Sequence, residues 1–395
     1  MFSRVLRRSL FTKMSLPQAK IVKIQDTTNP DDLRLLDGPV EALKAGEAVG
    51  MPTETVYGLA ANCLSPSASE KIFKIKNRPM DNPLICHISS REMLEMLVDP
   101  EWKVTERVKR VMDEFWPGPL TLLLPANPAL PECVTAGLKT VGVRFPSHPV
   151  ALELIKRAGF PLAAPSANLS GRPSPTTAAH VYTDLHDRIN WIVDGGNSGV
   201  GLESTVVDLL STPPMILRPG GITLAMLSKI VPDIQVYQQK KFRTNDTSTL
   251  TSTCEIDESR PPTPGMKYKH YAPNAPVLLY SNSKDSALLD IQANSAALAP
   301  KIHDHLVKTG KSTCNIIRLR VSDSESSDIP SIKRNIFLSR TGDLVEIAQN
   351  LFSALREADE EQPDFIVAET VVEEDEGLAI MNRLIKSAGE EIITL

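Results

Sequence analysis

The sequence predicts an α/β protein of two domains, and three observations support this fold class. The chain has 395 residues, of which 42% are hydrophobic and 23% charged, as expected for globular domains of ordinary size. Apolar segments of strand length alternate with helix-period segments from about residue 38 to about residue 236, which is an α/β pattern. The same alternation resumes after residue 273. We therefore expect domains over residues 36–236 and 274–395.

Residues 1–35 precede the first predicted strand and are assigned to an N-terminal extension. Its first 25 residues contain six Lys or Arg residues and no acid, a composition typical of a transit peptide. A frayed basic tail is the alternative. Because Met14 offers a second start, we expect a cytoplasmic protein with a mitochondrial form made from the longer start at Met1.

The first domain is predicted to consist of short apolar strands joined by helices. The helices are expected at about 67–77, 104–115, 149–158 and 175–186. The strand segments are AVGMP, PLICHI, LTLLLP, TVGVRFP, FPLAAPSA, NWIVDGG, STVVDLL and MILRPG. Several of these strands are too apolar to have a solvated face, which predicts a buried sheet.

A linker and a smaller domain follow. Residues 237–273 are rich in Lys, Thr, Ser, Asn and Pro, which is typical of a linker. Beyond it the strands APVLLY, CNIIRLR and DFIVAET alternate with helices near 284–296, 344–357 and 377–388, which predicts a small Rossmann-like, doubly wound sheet. Ten acids and no base lie between Glu357 and Glu376. We interpret them as solvated surface; the alternative is a docking face of a regulatory domain.

Composition excludes several classes of protein. The five cysteines are scattered without a C-x-x-C pair, which excludes a disulfide scaffold and a thiolate zinc site. No apolar stretch approaches 18 residues, so no membrane-spanning helix is expected. The formal charge of -5 argues against a protein that coats nucleic acid over its whole surface, although a local basic groove stays open.

Four polar segments follow strands of the first domain, where α/β folds bind ligands. The first, PTETVYGLAAN at 52–62, carries Thr55; an ordinary strand-to-helix turn is the alternative. The second, at 71–87, holds Lys76, Arg78 and Asn82 around two prolines. One explanation for the basic residues is that they complement the dipole of the preceding helix. The prolines make the connection rigid, however, and a rigid connection is better suited to binding an anion.

The third and fourth segments place small polar residues and an arginine at strand ends. FPLAAPSANLSGRPSPT at 160–176 contains Ser166, Asn168 and Ser174, and such small residues let phosphate oxygens approach the backbone closely. A polar surface loop is the alternative. The strands GLESTVVDLL and MILRPGG bring Ser204 and Arg218 to strand ends, where Arg218 is a candidate phosphate clamp.

Together these segments resemble the YrdC-domain family. The resemblance rests on K-x-R at Lys76 and Arg78 and S-x-N at Ser166 and Asn168, within PTETVYGL, KNRPMDNPL and APSANLSGRPSPT. The second domain and the segment PGMKYKHYAP at 264–273 resemble the longer, two-domain threonylcarbamoyl-AMP synthases. The resemblance covers nearly everything after residue 35 and implies a YrdC-like twisted mixed sheet in the first domain.

The resemblance also implies a function and its residues. The implied enzyme is a nucleotidyltransferase that forms threonylcarbamoyl-AMP and pyrophosphate from L-threonine, bicarbonate and ATP, with magnesium accompanying ATP. Its product would pass to a tRNA threonylcarbamoyl transferase complex, with at most weak direct binding of tRNA. Threonine would be surrounded by Thr55, His87, Arg144, the Ala164 backbone and Ser204. ATP would be held by Arg78, Asn82, the Thr140 backbone, Ser166, Ser174, Arg218 and Tyr271. The resemblance assigns catalysis to Lys76, Arg78, Ser166 and Asn168.

A physical argument supports a lid, and a different class of function stays open. Carbamates decompose in water, so the site should close around a carbamate, and the segment 264–273 is the candidate lid. The alternative function is a module that holds structured RNA on Lys71, Lys74, Lys76 and Arg78 without turnover. Aromatic residues make up only 5% of the chain, which gives base stacking little support.

Overall fold

The computed structural model describes residues 18–237, 263–264, 270–280, 304, 307–308, 313–323 and 332–389. The helix predicted near 284–296 lies outside these residues, as do residues 1–17 and most of the predicted linker. Among the described helices, none is long and apolar enough to cross a membrane.

A large mixed sheet forms the centre of the first domain. In space its strands follow the order β1-β8-β2-β3-β7-β4-β6-β5-β9-β10-β11. Strand β4 pairs in parallel with β6 and antiparallel with β7, so the sheet is mixed, as the resemblance implied. The strand bounds are β1 Lys20–Lys23, β2 Val49–Met51, β3 Gly58–Asn62, β4 Ile85–His87, β5 Leu120–Pro125, β6 Thr140–Arg144, β7 Leu162–Ala163, β8 Trp191–Asp194, β9 Thr205–Asp208, β10 Met215–Arg218 and β11 Gln235–Val236.

Helices flank this sheet, and their ends follow capping rules. Ser65, Thr105 and Thr177 each accept a hydrogen bond from the backbone N–H three residues on, at the starts of α3, α4 and α7. All four predicted helices are confirmed. The helix bounds are α1 Pro30–Arg34, α2 Asp37–Lys44, α3 Pro66–Lys76, α4 Glu106–Phe115, α5 Glu132–Thr135, α6 Pro149–Ala158, α7 Ala178–Leu185 and α8 Leu224–Ser228.

The sheet also contains strands that the sequence did not reveal. Strand β1 pairs with β8, so the first domain begins inside the segment 1–35 that we assigned to an extension. Only one of its four residues, Val22, is buried, and the flanking lysines hid the strand signal. Residues 58–62 form β3, antiparallel to β2, so a strand-to-helix turn is wrong for this part of PTETVYGLAAN.

The second domain is a smaller parallel sheet with helices. Its strands are β12 (Val277–Tyr280), β13 (Ile316–Arg320), β14 (Ile332–Phe337) and β15 (Phe365–Glu369), in the order β12-β15-β13-β14. Helices α9 (Leu344–Glu360) and α10 (Glu376–Ser387) pack on this sheet. Strand β14 was not predicted because three of its residues are exposed and two of these are basic. The smaller α/β domain itself is confirmed.

The acidic stretch of the second domain is only partly a solvated surface. Glu369 is buried and pairs with Arg318. Asp359 is buried and accepts hydrogen bonds from Asn274 Nδ2 at 2.8 Å and from the Ala275 amide at 3.0 Å. These two acids hold the second domain together, which the charge pattern could not show.

The two domains share one apolar interface. Val56 and Leu202 of the first domain belong to the same buried cluster as Phe352 of α9. Gly201 has a φ of +78°, and a Cβ on it would lie 2.6 Å from the Ala348 carbonyl oxygen of α9. Helix α9 therefore packs directly on the loop that precedes β9.

Polar contacts reinforce this interface beside the S-x-N loop. Arg356 Nη2 of α9 lies 2.8 Å from Asp184 Oδ2 of α7, and both side chains are almost completely buried. Thr176 Oγ1 lies 2.9 Å from Ser353 Oγ. The loop that carries Ser166 to Ser174 is thus anchored on its far side by the second domain.

Candidate active site

A pocket lies where strands β4, β6, β9 and β10 end or begin, against the segment that leads into the second domain. The pocket is partly open to solvent. Pro264, His270 and Tyr271 line it from the connecting segment. The predicted residues that line it are Thr55, Arg78, His87, Arg144, Ala164, Ser166, Ser204, Arg218 and Tyr271. The four polar segments therefore meet in one place, together with Arg144 and Tyr271 from other parts of the chain.

Arg144, the last residue of β6, presents a fixed positive charge to this pocket. Its Nη1 donates to Thr55 Oγ1 at 2.7 Å, and its Nη2 lies 2.7 Å from Glu54 Oε1. Burial acts to raise the pKa of Glu54, but the Arg144 charge, the Arg144 hydrogen bond and backbone hydrogen bonds together lower it. The pair is therefore ionised at neutral pH, and Glu54 orients Arg144 from behind the pocket wall.

His87 is neutral in this environment. It ends β4 directly beside Arg144, and burial together with the Arg144 charge lowers its pKa to about 3. His87 consequently adds no positive charge at physiological pH and can act only as a neutral hydrogen-bonding group or a packing surface.

Arg218, at the end of β10, is a second fixed cation. Its Nε and Nη2 donate to the Ser204 carbonyl at 3.2 and 3.0 Å, and its Nη1 donates to the Pro264 carbonyl at 3.3 Å. The Ser204 hydroxyl lies 2.7 Å from Thr121 Oγ1. Because these contacts immobilise the guanidinium before any ligand binds, little side-chain entropy remains to be lost on binding an anion.

Lys76 and Asn168 lie behind the pocket wall rather than on it. The Lys76 ammonium donates to the carbonyls of Ser166 and Asn168, the latter at 2.5 Å. Asn168 Nδ2 donates to the Leu169 and Arg172 carbonyls at 2.7 and 2.9 Å. Both residues therefore shape the loop that places Ser166 at the pocket, and neither belongs to the pocket lining.

Three further predicted residues also lie outside the pocket lining. The Asn82 carbonyl accepts from Arg78 Nε at 3.3 Å, and the Pro83 carbonyl accepts from Arg78 Nη2 at 3.0 Å. The proline-bounded segment after α3 thus holds the Arg78 guanidinium, as the sequence suggested. Ser174 donates its hydroxyl to Glu203. Thr140 begins β6, opposite Pro125.

Two charged residues of the site were missed by sequence reasoning. Glu203 lines the pocket, and Arg383 of α10 pairs with it at 3.1 Å. Glu203 could have been found, because it lies next to Ser204 in a segment already singled out. Arg383 gives no local signal, since it occupies an ordinary position in an amphipathic helix.

The described side chains of the site do not form a cage for a metal ion. Within the described ranges, no group of three or more His, Cys, Asp or Glu side chains could hold a metal. The carboxylate in the pocket lining is that of Glu203, and its two oxygens already contact Ser174 and Arg383. A magnesium ion prefers an octahedral set of oxygens, and the acidic side chains that the structure describes do not cluster to supply one.

The basic surface that an RNA-binding module would need is largely neutralised. Lys71 Nζ lies 2.7 Å from Glu47 Oε1, and Lys74 Nζ lies 3.7 Å from Glu70 Oε2. Lys76 is buried. These contacts remove most of the free positive charge on which the alternative function depended.

Comparison with known proteins assigns the family. The threonylcarbamoyl-AMP synthase of Pyrococcus abyssi is 41% identical over 373 residues, which are 94% of this chain and 98% of that protein. The chain belongs to the threonylcarbamoyl-AMP synthase family. The threonylcarbamoyl-AMP synthase of Schizosaccharomyces pombe is 43% identical over 360 residues, covering 86% of this chain and 84% of that protein.

Family models and a solved structure agree with this assignment. A model of the Sua5, YciO and YrdC proteins, described as telomere recombination, matches residues 41–220, and one described as threonylcarbamoyl-AMP synthase, C-terminal domain, matches residues 222–389. The crystal structure of P. abyssi Sua5 complexed with L-threonine has a TM-score of 0.77 and 38% identity, and the match covers 95% of this chain and 99% of that chain. These findings confirm the resemblance to the threonylcarbamoyl-AMP synthase family that the sequence showed, and they confirm the predicted fold.

Proposed function

We propose that this protein forms threonylcarbamoyl-AMP and pyrophosphate from L-threonine, bicarbonate and ATP. The observation that carries the proposal is the convergence of three well-buried arginines, Arg78, Arg144 and Arg218, on one pocket with hydroxyl groups between them. Such a pocket suits a reaction of several anionic reactants.

Arg144 and its neighbours form the threonine end. The Arg144 guanidinium takes the threonine carboxylate, because a planar fork matches a carboxylate bidentately. Thr55 and Ser204 line the same pocket and offer partners for the substrate hydroxyl. A site that hydrogen-bonds this hydroxyl rejects valine strongly.

The arginines Arg78 and Arg218, with Ser166, form the ATP end. ATP carries about four negative charges, and threonine and bicarbonate add about one each. Three arginines supply about half of the balancing charge, and Lys76 contributes none directly because it lies behind the wall. We propose that magnesium enters bound to the phosphates of ATP, as part of the substrate rather than as a resident ion.

The chemistry needs positioning and charge, with no protein nucleophile. The threonine amine first forms a C–N bond to bicarbonate with loss of water, giving a carbamate. A carbamate oxygen then forms a bond to the α-phosphorus, while the bond to the β-phosphate oxygen breaks and pyrophosphate leaves. Holding the reactants in line supplies most of the rate enhancement.

The connecting segment serves as the cover of this pocket. Pro264, His270 and Tyr271 line it, and the Tyr271 ring packs against Phe352 with the ring centroids 5.2 Å apart. Excluding water there protects the carbamate from decomposition. The product then passes to a tRNA threonylcarbamoyl transferase complex in the cytoplasm. The longer start at Met1 gives a mitochondrial form, which fluorescent fusions beginning at Met1 and at Met14 would test.

The proposed function is tested by pyrophosphate release from ATP by the purified protein. Threonine and bicarbonate are omitted in turn, and valine or serine replaces threonine. We expect release only when both substrates are present, with valine almost inactive. Release that needs no threonine, or salt-dependent RNA binding without turnover, would contradict the proposal.

A further inference from the structure

An acidic side chain lines the pocket that is proposed to take the anionic substrates. Glu203 immediately precedes Ser204 and is 8% exposed. An uncompensated carboxylate at this position would repel a triphosphate. Something must therefore balance the charge of Glu203 before ATP can bind.

Most of the compensating charge comes from the second domain, and Arg218 of the first domain adds a weaker attraction. Arg383 of α10 is 0% exposed, and its Nε donates to Glu203 Oε2 at 3.1 Å. The same guanidinium donates to the Pro219 carbonyl, next to Arg218, and lies 5.8 Å from the centre of the Tyr271 ring. One side chain of the second domain therefore contacts three parts of the pocket wall.

These contacts all lie on the proposed ATP end. Glu203 accepts a hydrogen bond from Ser174, and Arg383 donates to the carbonyl that follows Arg218; Ser174 and Arg218 are both residues assigned to ATP. Arg144 and Thr55, at the threonine end, contact Glu54 instead. Removing Arg383 should thus disturb one end of the pocket and spare the other.

We propose that Arg383 is a positioning residue through which the second domain sets the ATP end of the active site, by balancing and orienting Glu203. This inference rests on the proposed function for its kinetic readout. It gives the second domain a role in nucleotide binding, exerted through an ion pair across the domain interface rather than through contact with the substrate.

The sign of the effect on ATP binding tests this role. Arg383→Met leaves the Glu203 carboxylate facing Arg218 as its remaining cation, which draws on the charge meant for ATP. We expect the KM for ATP to rise at least about tenfold while the KM for threonine changes less than about twofold. Glu203→Gln keeps an acceptor for Ser174 but leaves Arg383 in excess, so ATP should bind at least as tightly as in the wild type. The double variant should bind ATP within about threefold of the wild type. A purely structural pair would weaken ATP binding in both single variants.

A buried ion pair elsewhere provides the matched control. Arg318 and Glu369 are both 3% exposed and pair within the second domain, so Arg318→Met with Glu369→Gln should leave both KM values unchanged in folded protein.

Equal rises in the two KM values of Arg383→Met, or weaker ATP binding by Glu203→Gln, would overturn the proposal. If Arg383→Met does not fold, Glu203→Gln alone decides. ATP affinity is also measured by equilibrium dialysis, which reports on Arg383 even if threonine-dependent turnover is absent; no ATP binding by the wild type would overturn both proposals.

Discussion

Substituting Gly201 by alanine should push the two domains apart. Its φ of +78° costs an L-residue about 1–2 kcal/mol. A Cβ there would also overlap Gln349 Cα and lie 2.6 Å from the Ala348 carbonyl oxygen, and helix backbone cannot rotate away as a side chain can. Overpacking of this kind costs about 1–3 kcal/mol. We therefore expect the Gly201→Ala variant to lose about 2–5 kcal/mol of domain docking and folding stability.

Two glycines of the same loop separate the cost of the positive φ from the cost of the clash with α9. Gly196 also has a positive φ, of +88°, but nothing lies within 4 Å of its Cβ position, and Gly199 has neither a positive φ nor a close neighbour. Gly196→Ala should therefore cost only about 1–2 kcal/mol, and Gly199→Ala should be neutral or slightly stabilising.

The assay combines urea unfolding, followed by circular dichroism, with hydrogen exchange of the α9 amides. If α9 separates from the first domain, the hydrogen bond from Gln349 Nε2 to the Gly199 carbonyl, now 2.7 Å long, is lost and exchange in α9 accelerates. Gly201→Ala and Gly196→Ala variants of equal stability and equal exchange would refute the reasoning, because the close approach of α9 would then cost nothing.

Three further predictions follow from the site. Arg144→Lys keeps the charge but loses the planar guanidinium, which bonds Thr55 and pairs with Glu54. We expect the KM for threonine to rise about 10- to 100-fold while the KM for ATP changes little. An unchanged KM for threonine would remove this assignment. Arg218→Ala removes a cation fixed by the Ser204 and Pro264 carbonyls; ATP affinity measured by dialysis should fall at least about tenfold, and normal affinity would contradict its place at the ATP end. The His87 pKa of about 3 lies below the value of about 6.5 in an unfolded chain, so the unfolded state binds the extra proton and stability falls as the pH drops below about 6.5. At pH 5 His87 contributes about 2 kcal/mol of this loss, to which other histidines with lowered pKa values, His180 and His270, add. Urea unfolding should therefore show a loss about 2 kcal/mol smaller in His87→Gln than in the wild type and in the control His186→Gln.

The sequence revealed the residues that act through local patterns. The prolines after α3 indicated that Arg78 is held rigidly, and the structure shows the Asn82 and Pro83 carbonyls holding its guanidinium. Two apolar strands located Ser204, which directly precedes β9, and Arg218, which ends β10. The periodicity of the hydrophobic residues and the amino-acid composition were together enough to predict the fold class and most of the strands.

The rest depended on contacts between distant parts of the chain. Lys76 looked like a ligand-binding lysine, and only the folded loop shows its ammonium bonded to the Ser166 and Asn168 carbonyls. Strand β1 was hidden because a short edge strand needs only Val22 to be buried. The partner of Glu203 lies 180 residues away, at Arg383, and no local pattern connects the two.

The apolar cluster shared by the two domains restricts which amino-acid replacements this protein can accept. Val56 sits one residue from Thr55, and Leu202 sits one residue from Glu203, yet both complete the core of the second domain. A replacement in that core must therefore be accommodated by the loops that shape the pocket. A chimera that joins either domain to a foreign counterpart would therefore need the matching residues on both sides of the junction.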